Sequence, residues 1–287
     1  MDESAVLSQP LRVPRLLRSV GIPVAGILLV LFFVYLGFPY DTLAGRIATE
    51  AGRALGARVD IQEVGPRLSL AGPGFEVRGV RVVWPGSSPL QLQRAAVRPA
   101  WSLAWLQGDP ALYAELESPA GAAEGVWRAS GGWDGELRGL DLSALPVERF
   151  VPGLAPQGRL EARVDLRWNE SGPEGRLAFE ASEGSLLLPN MPMPLPYESC
   201  SGELVFGNES LVSVESFSLE GPLLAAQGTG RIGQAPSFGS APLQLELQLT
   251  AKQPAVQSML RSAGIQIDSS GSGSIRVTGT PSAPQLR

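Results

Sequence analysis

The chain has 287 residues, 23 of them basic and 28 acidic, for a net charge of -5 with no histidine and a single cysteine. An acidic balance offers no footprint for a phosphate backbone, which excludes nucleic acid as an expected partner. The missing histidine removes imidazole acid–base chemistry, the Ser-His-Asp triad and most zinc or iron sites, and a lone Cys200 cannot close an intramolecular disulfide.

Residues 1–19 read as a short tail carrying Arg12, Arg15 and Arg18. From Val20 to Tyr40 the chain runs 21 residues without a charge. At ~1.5 Å per residue that stretch would reach ~31 Å as a helix, close to the hydrocarbon core of a bilayer. Its end, "LFFVYLGFPY", is bulky and aromatic with no small-residue cleavage pattern, which favours a retained anchor over a cleaved signal peptide. Tyr35, Phe38 and Tyr40 are residue types of a membrane interface, and the arginines ahead of the span put the tail in the cytoplasm and the body in the periplasm. A cleaved signal with a free periplasmic body, and the opposite orientation, are the alternatives.

A membrane-proximal amphipathic helix is expected over 41–57, capped by Asp41 or Thr42 and stopped by Gly56, with Leu43, Ile47, Ala51 and Leu55 on one face. Its expected role is to cover one end of a sheet.

From Arg58 the hydrophobic period becomes two. "RLEARVDLRW" puts Leu160, Ala162, Val164, Leu166 and Trp168 on one face, and "PLQLELQLTAK" does the same with Leu243, Leu245, Leu247 and Leu249. Such alternation marks antiparallel strands with one buried and one wet face. The apolar phase slips between Val77 and Val80, predicting a bulge at Gly79, and again between Val214 and Phe217. About a dozen strand-like runs follow one another, broken by helical stretches near 141–151 and at 254–264. The prolines of "LPNMPMPLPYESC" (Pro189, Pro192, Pro194, Pro196) exclude a central strand and predict an extended loop carrying Met191 and Met193. The fold class is mainly β: a transmembrane helix and a short amphipathic helix, then residues 58–287 as one elongated, curved antiparallel sheet. Its apolar faces either pack on each other or line a groove that needs a ligand or partner.

Chemistry-bearing motifs are sparse. "GTGRIG" (228–233) spells G-x-G-x-x-G but is followed by a loop and a strand, which reads as strand-and-turn glycine and not as a dinucleotide site. Glu203, Glu215 and Glu220 read as solvated strand-face carboxylates, Asn169 and Asn208 as polar turns, and Cys200 as a small buried hydrophobe. Trp84, Trp101, Trp105, Trp127 and Trp133 crowd into one third of the body, where the expectation is that they fill the core. No catalytic, cofactor-binding or metal site is expected, and the chain is read as a non-enzyme; a glycan-acting enzyme with paired carboxylates is the remote alternative.

The stretch "GSLLLPNMPMPLPYESCSGELVFGNESLVSVESFSLEGPLLAAQGTGRIG" (184–233) has the cadence of AsmA-like β repeats, and the ending "GSGSIRVTGTPSAPQL" resembles the close of such a repeat. Together with the anchor, "FPYDTLAGRI" and "ARVDIQEVGPRLSLAGPGFEVRGVRV", the whole chain resembles the type II secretion system protein N family. That resemblance implies an inner-membrane, periplasm-facing accessory protein of a Gram-negative secretion machinery, with other secretion components as partners and no catalytic residues. The AsmA-like patterning implies an alternative, a protein that handles phospholipid in an apolar β-groove.

Overall fold

The computed structural model describes residues 22–85, 89–102, 105, 107–145, 147, 154–169, 172–187, 194–207, 210–235, 238–262 and 265–286. Three short α-helices, two 3-10 turns and fourteen strands make up the described elements. Helix α1 (Ile22–Leu36) is followed by α2 (Tyr40–Leu55). The strands are β1 (Arg58–Ser69), β2 (Gly72–Val83), β3 (Leu90–Pro99), β4 (Ala111–Ser118), β5 (Gly121–Arg128), β6 (Gly132–Asp141) and β7 (Ala155–Asn169). After them come β8 (Gly172–Leu187), β9 (Leu195–Phe206), β10 (Val212–Glu220), β11 (Leu224–Ile232) and β12 (Leu243–Ala251). Helix α3 (Pro254–Ser262) precedes the last two, β13 (Ser272–Thr280) and β14 (Ala283–Leu286). All fourteen strands form one sheet in strict sequence order, each antiparallel to the next. The expected all-β body is therefore a single meander.

The N-terminal span differs from the expected 20–40 helix. α1 is apolar throughout but has 15 residues, about 22 Å of helix. Among the described residues no helix is long and apolar enough to cross a membrane. The physical cause lies at its end, where Gly37 and Pro39 separate α1 from α2; Val20 and Gly21 lie outside the described residues. α1 projects away from the body, with Ile27, Leu28, Val30 and Phe33 each about 60% exposed. Its last turn is fastened to the sheet. Tyr35 Oη donates to the carbonyl of Arg67 at 2.9 Å and to that of Gly74, and Tyr35, Tyr40 and Phe75 stack edge to face and tilted at 6.0–6.4 Å.

α2 starts at Tyr40, so Asp41 and Thr42 fall inside the first turn instead of capping it; the cap position is Pro39, which has no side-chain donor or acceptor, and Thr42 Oγ1 donates back to the Pro39 carbonyl at 2.9 Å. The stop is as expected: Gly56 adopts the left-handed conformation with φ +57°. Ala48, Ala51 and Ala57 seat the helix on Val59, Val80 and Val82, while Leu55 is exposed.

Gly79 has the positive φ that a bulge would explain, +62°, yet the register of β2 with β1 and β3 runs through it unshifted. The apolar side chains on either side of it nevertheless stay together: Val77 packs with Val80 and Val82 under α2, whose first residue, Tyr40, stacks on Phe75. The second expected irregularity is a true bulge, between Val214 and Phe217.

The proline-rich segment also departs from expectation. Residues 188–193 lie outside the described residues, but Pro194 leads directly into β9 and Pro196 lies within it. Pro196 is tolerated because β9 pairs there only with β8, through Ser185, and meets β10 only from Ser199 onward. Of the helical stretch near 141–151, a single 3-10 turn, Leu142–Ala144, is described, capped by the Asp141 carboxylate accepting from the Ser143 amide at 2.9 Å. The stretch at 254–264 is helical as expected; Val256 and Leu260 are buried, Met259 is half-buried, and Gly264 lies outside the described residues.

The main core lies at one end of β8–β13. There Val256 and Leu260 of α3 cover Leu219, Leu224, Ala226, Leu249 and Ala251. Leu260 is 3% exposed, so Leu260→Ala is expected to cost about 2–5 kcal/mol. Chemical denaturation of the two proteins measures it, and a difference below about 1 kcal/mol would show that α3 is not a structural cover.

Candidate functional surface

The register assembles one apolar face across the whole sheet. A single transverse row passes from Val64 through Val77, Ala95, Leu116, Ala123, Leu137 and Ala162. It continues through Phe179, Gly202, Phe217, Gly228, Leu247 and Ile275. The next row is equally free of polar side chains, with Phe75, Val97 and Ala114 at one side and Leu204, Val214, Leu245 and Val277 at the other.

These rows are covered only in part. Among the described residues no large side chain is fully buried. Leu116, Leu137, Phe179, Phe217 and Leu247 are each half-buried. The described strands form an open sheet from β1 to β14, with no pairing between those two edges, and α2 and α3 pack on the clusters at its ends.

Glycines make this face shallow. Trp133 lies across Gly125 and Gly135, where a Cβ would come within 2.6 and 2.7 Å of its ring, and Phe179 lies across Gly202, at 2.8 Å from such a Cβ. Leu247 and Leu245 lean over Gly228 and Gly230 in the same way. Large side chains thus lie along the sheet instead of standing off it. Gly228 and Gly230 belong to "GTGRIG", whose residues through Ile232 are part of β11 and open no helix; the phosphate-site reading is thereby removed.

The reverse face is charged. Glu115, Glu124 and Glu136 sit directly opposite one another on β4, β5 and β6, an arrangement that destabilises a sheet unless cations bridge it. Arg138 reaches Glu124 at 2.5 Å and Glu136 at 3.0 Å, Arg163 reaches Glu136 at 3.2 Å, and Arg67 reaches Glu115 at 2.7 Å. Tyr113 Oη donates to Glu124 at 2.8 Å, and burial together with that carboxylate pushes the phenol up. Glu76, 11% exposed, bonds Arg78 at 2.6 Å and Arg94 at 3.0 Å. Burial pushes its carboxyl up, but the hydrogen bonds and charges of Arg78 and Arg94 outweigh that, and the net shift is downward.

The residues singled out in the sequence do not converge. Glu203 pairs with Arg176 at 3.4 Å, Glu215 accepts from Ser213 at 3.2 Å and Glu220 pairs with Lys252 at 3.0 Å. Asn169 ends β7, and Asn208 lies outside the described residues. Cys200 is half-buried on the apolar face opposite Leu219 and Ala181, and burial pushes its thiol up to about 11. No group of His, Cys, Asp or Glu able to hold a metal occurs among the described residues. The core-filling expectation holds for Trp84, which packs half-buried against Val59, Val80 and Val82, but not for Trp101 and Trp127, which are exposed; Trp105 and Trp133 are half-buried.

No family model matches the chain, and neither curated proteins nor solved structures include a match.

The depressed carboxyl of Glu76 contributes stability that is present above the ordinary glutamate value of 4.5 and is lost as pH falls through its lower folded value. Glu76→Gln is therefore expected to cost about 1–3 kcal/mol at pH 7. The deficit should vanish in denaturation curves taken below that folded value, whereas a deficit independent of pH would assign the loss to packing.

Proposed function

We propose that the chain is a non-enzymatic bacterial envelope protein. Residues 20–40, containing α1, seat it in the inner membrane, its periplasmic β-body presents the partly covered apolar face, and that face holds the acyl chains of a phospholipid. The observation that carries this reading is the pair of transverse rows free of polar side chains and only partly covered. An exposed apolar surface of that extent marks a ligand or partner site. A shallow floor of leucine, phenylalanine and glycine suits flexible chains and supplies no polar group for a compact polar substrate. Membrane seating is supported by the projecting apolar side chains of α1 and by the aromatic cluster at its end.

A second reading, an accessory component of a type II secretion system, rests on the resemblance of the full chain to the protein N family. The antiparallel pairing of β8–β11 favours it as well, since it keeps the described part of the repeat cadence in register. In that role the same face would meet other secretion components.

Mass spectrometry of the full chain extracted from membranes in mild detergent separates the two. Phospholipid should co-purify with the wild type. Leu247→Glu, which sets a charge in the middle of the face, should reduce it about tenfold while leaving the circular dichroism unchanged. Lipid-free protein would sink the phospholipid reading. Unimpaired secretion after deletion, with no secretion component co-purifying, would sink the second.

A further inference from the structure

From β1 onward, the exposed large apolar side chains among the described residues are Leu68, Leu70, Phe75, Trp101, Trp127 and Trp168. All six lie at one end of the sheet. Leu68, Leu70 and Phe75 flank the β1–β2 turn, Trp101 follows β3, Trp127 is next to last in β5, and Trp168 is next to last in β7. Strand direction alternates in the meander, so these connections all emerge on the same side. The opposite end is different: there Leu195, Leu224 and Leu260 are buried.

We propose that this end of β1–β8 is a membrane-surface rim, lying in the interfacial layer of the bilayer that holds α1. The proposal rests on the reading of α1 as a membrane anchor, and its occupant is the lipid surface itself. Three observations carry it. The rim is the end to which α1 is fastened, through Tyr35 to Arg67 and Gly74, so a membrane holding α1 meets this end. Leu70 at the turn tip is fully exposed (112%), and Trp101 stacks on Trp105 at 5.0 Å above Gly72 while remaining 62% exposed. Indole and leucine side chains are those that gain from the apolar–polar boundary. Finally, Arg128 and Arg167 fall in the closing residues of β5 and β7 at the same end, where long cationic side chains reach headgroup phosphates while the rings sit below; Arg98 of β3 instead lies over the Tyr113 ring at 4.1 Å. Eight strands at ~4.8 Å give a rim of about 34 Å, long enough to fix the tilt of the body against a bilayer.

The test uses the full chain with Cys200→Ser, reconstituted in vesicles of phosphatidylcholine and phosphatidylglycerol. It carries single nitroxide-labelled cysteines at Val30, Leu70, Trp168 or Gln253, and power-saturation EPR reads their depth. Gln253 is exposed between β12 and α3, at the far end of the sheet. The expected result places the Val30 label in hydrocarbon, the Leu70 and Trp168 labels at headgroup depth and the Gln253 label in water. Val30 in hydrocarbon with Leu70 and Trp168 as water-accessible as Gln253 overturns the rim while leaving the anchor standing. Val30 in water overturns the anchor and the rim together. A second measurement needs no substitution in the rim: brominated phosphatidylcholine should quench the native tryptophan fluorescence substantially, and an unquenched spectrum counts against the proposal.

Discussion

Each described strand pairs only with the strands before and after it in sequence, and the phase of that antiparallel register governs the rest of the structure. Because residues directly opposite one another share a face, an error at one ladder would invert every side chain beyond it. The phase is carried intact from Val64 to Ile275. Where the sequence period slips, a bulge restores it: Val214 and Phe217 are three residues apart, yet both join the apolar rows, because β10 accommodates an extra residue between them. At Gly79 the register is unshifted and a positive φ accompanies the slip instead; Val77 still packs with Val80 and Val82 beneath α2.

Away from its two core clusters the sheet has one charged and one apolar surface, and each sets its own chemistry. On the reverse face, like charges on neighbouring strands would repel at ladder spacing, and arginines with their planar donor forks bridge them; Arg138 between Glu124 and Glu136 is the clearest case. Exposed pairs of this kind contribute little each. Their role is to neutralise an arrangement that the register imposes. The apolar face has no such internal remedy, and glycines beneath Trp133, Phe179 and Leu247 let those side chains lie flat, which lowers the exposed area but does not remove it.

The strands, the C-terminal stop of α2 at Gly56, α3 and the bulge in β10 were legible in the sequence, because each is set by local period or by a single residue's backbone preference. The extent of α1, the absent side-chain cap at Pro39 and the unshifted register at Gly79 were not. Apolar composition from Val20 to Tyr40 does not say where a helix ends, and a phase slip looks the same whether a residue is inserted or a left-handed glycine turns the backbone. The candidate surface was half legible. Alternation in each strand declared an apolar face, but whether the faces meet depends on the order of strands, which no local pattern encodes. The crowding of tryptophans was visible as well; their alignment at one end of the sheet appears only once strand direction alternates along the meander.

The two ends of the apolar face are unequal, and that inequality bears on how an acyl chain would reach it. At the α3 end the face is closed by Val256, Leu260 and the buried Tyr197, whose hydroxyl is tied to the Gln157 carbonyl at 2.6 Å. At the other end Phe75, Trp127 and Trp168 stand exposed on that same face, beside the point where α1 joins the sheet. A chain leaving the bilayer along α1 would cross from exposed aromatic rings onto the central rows without passing a polar side chain. Entry from the far end would first require displacing the α3 cover. Under the phospholipid reading the body therefore has a direction: it loads from the membrane-facing rim and is stopped at α3.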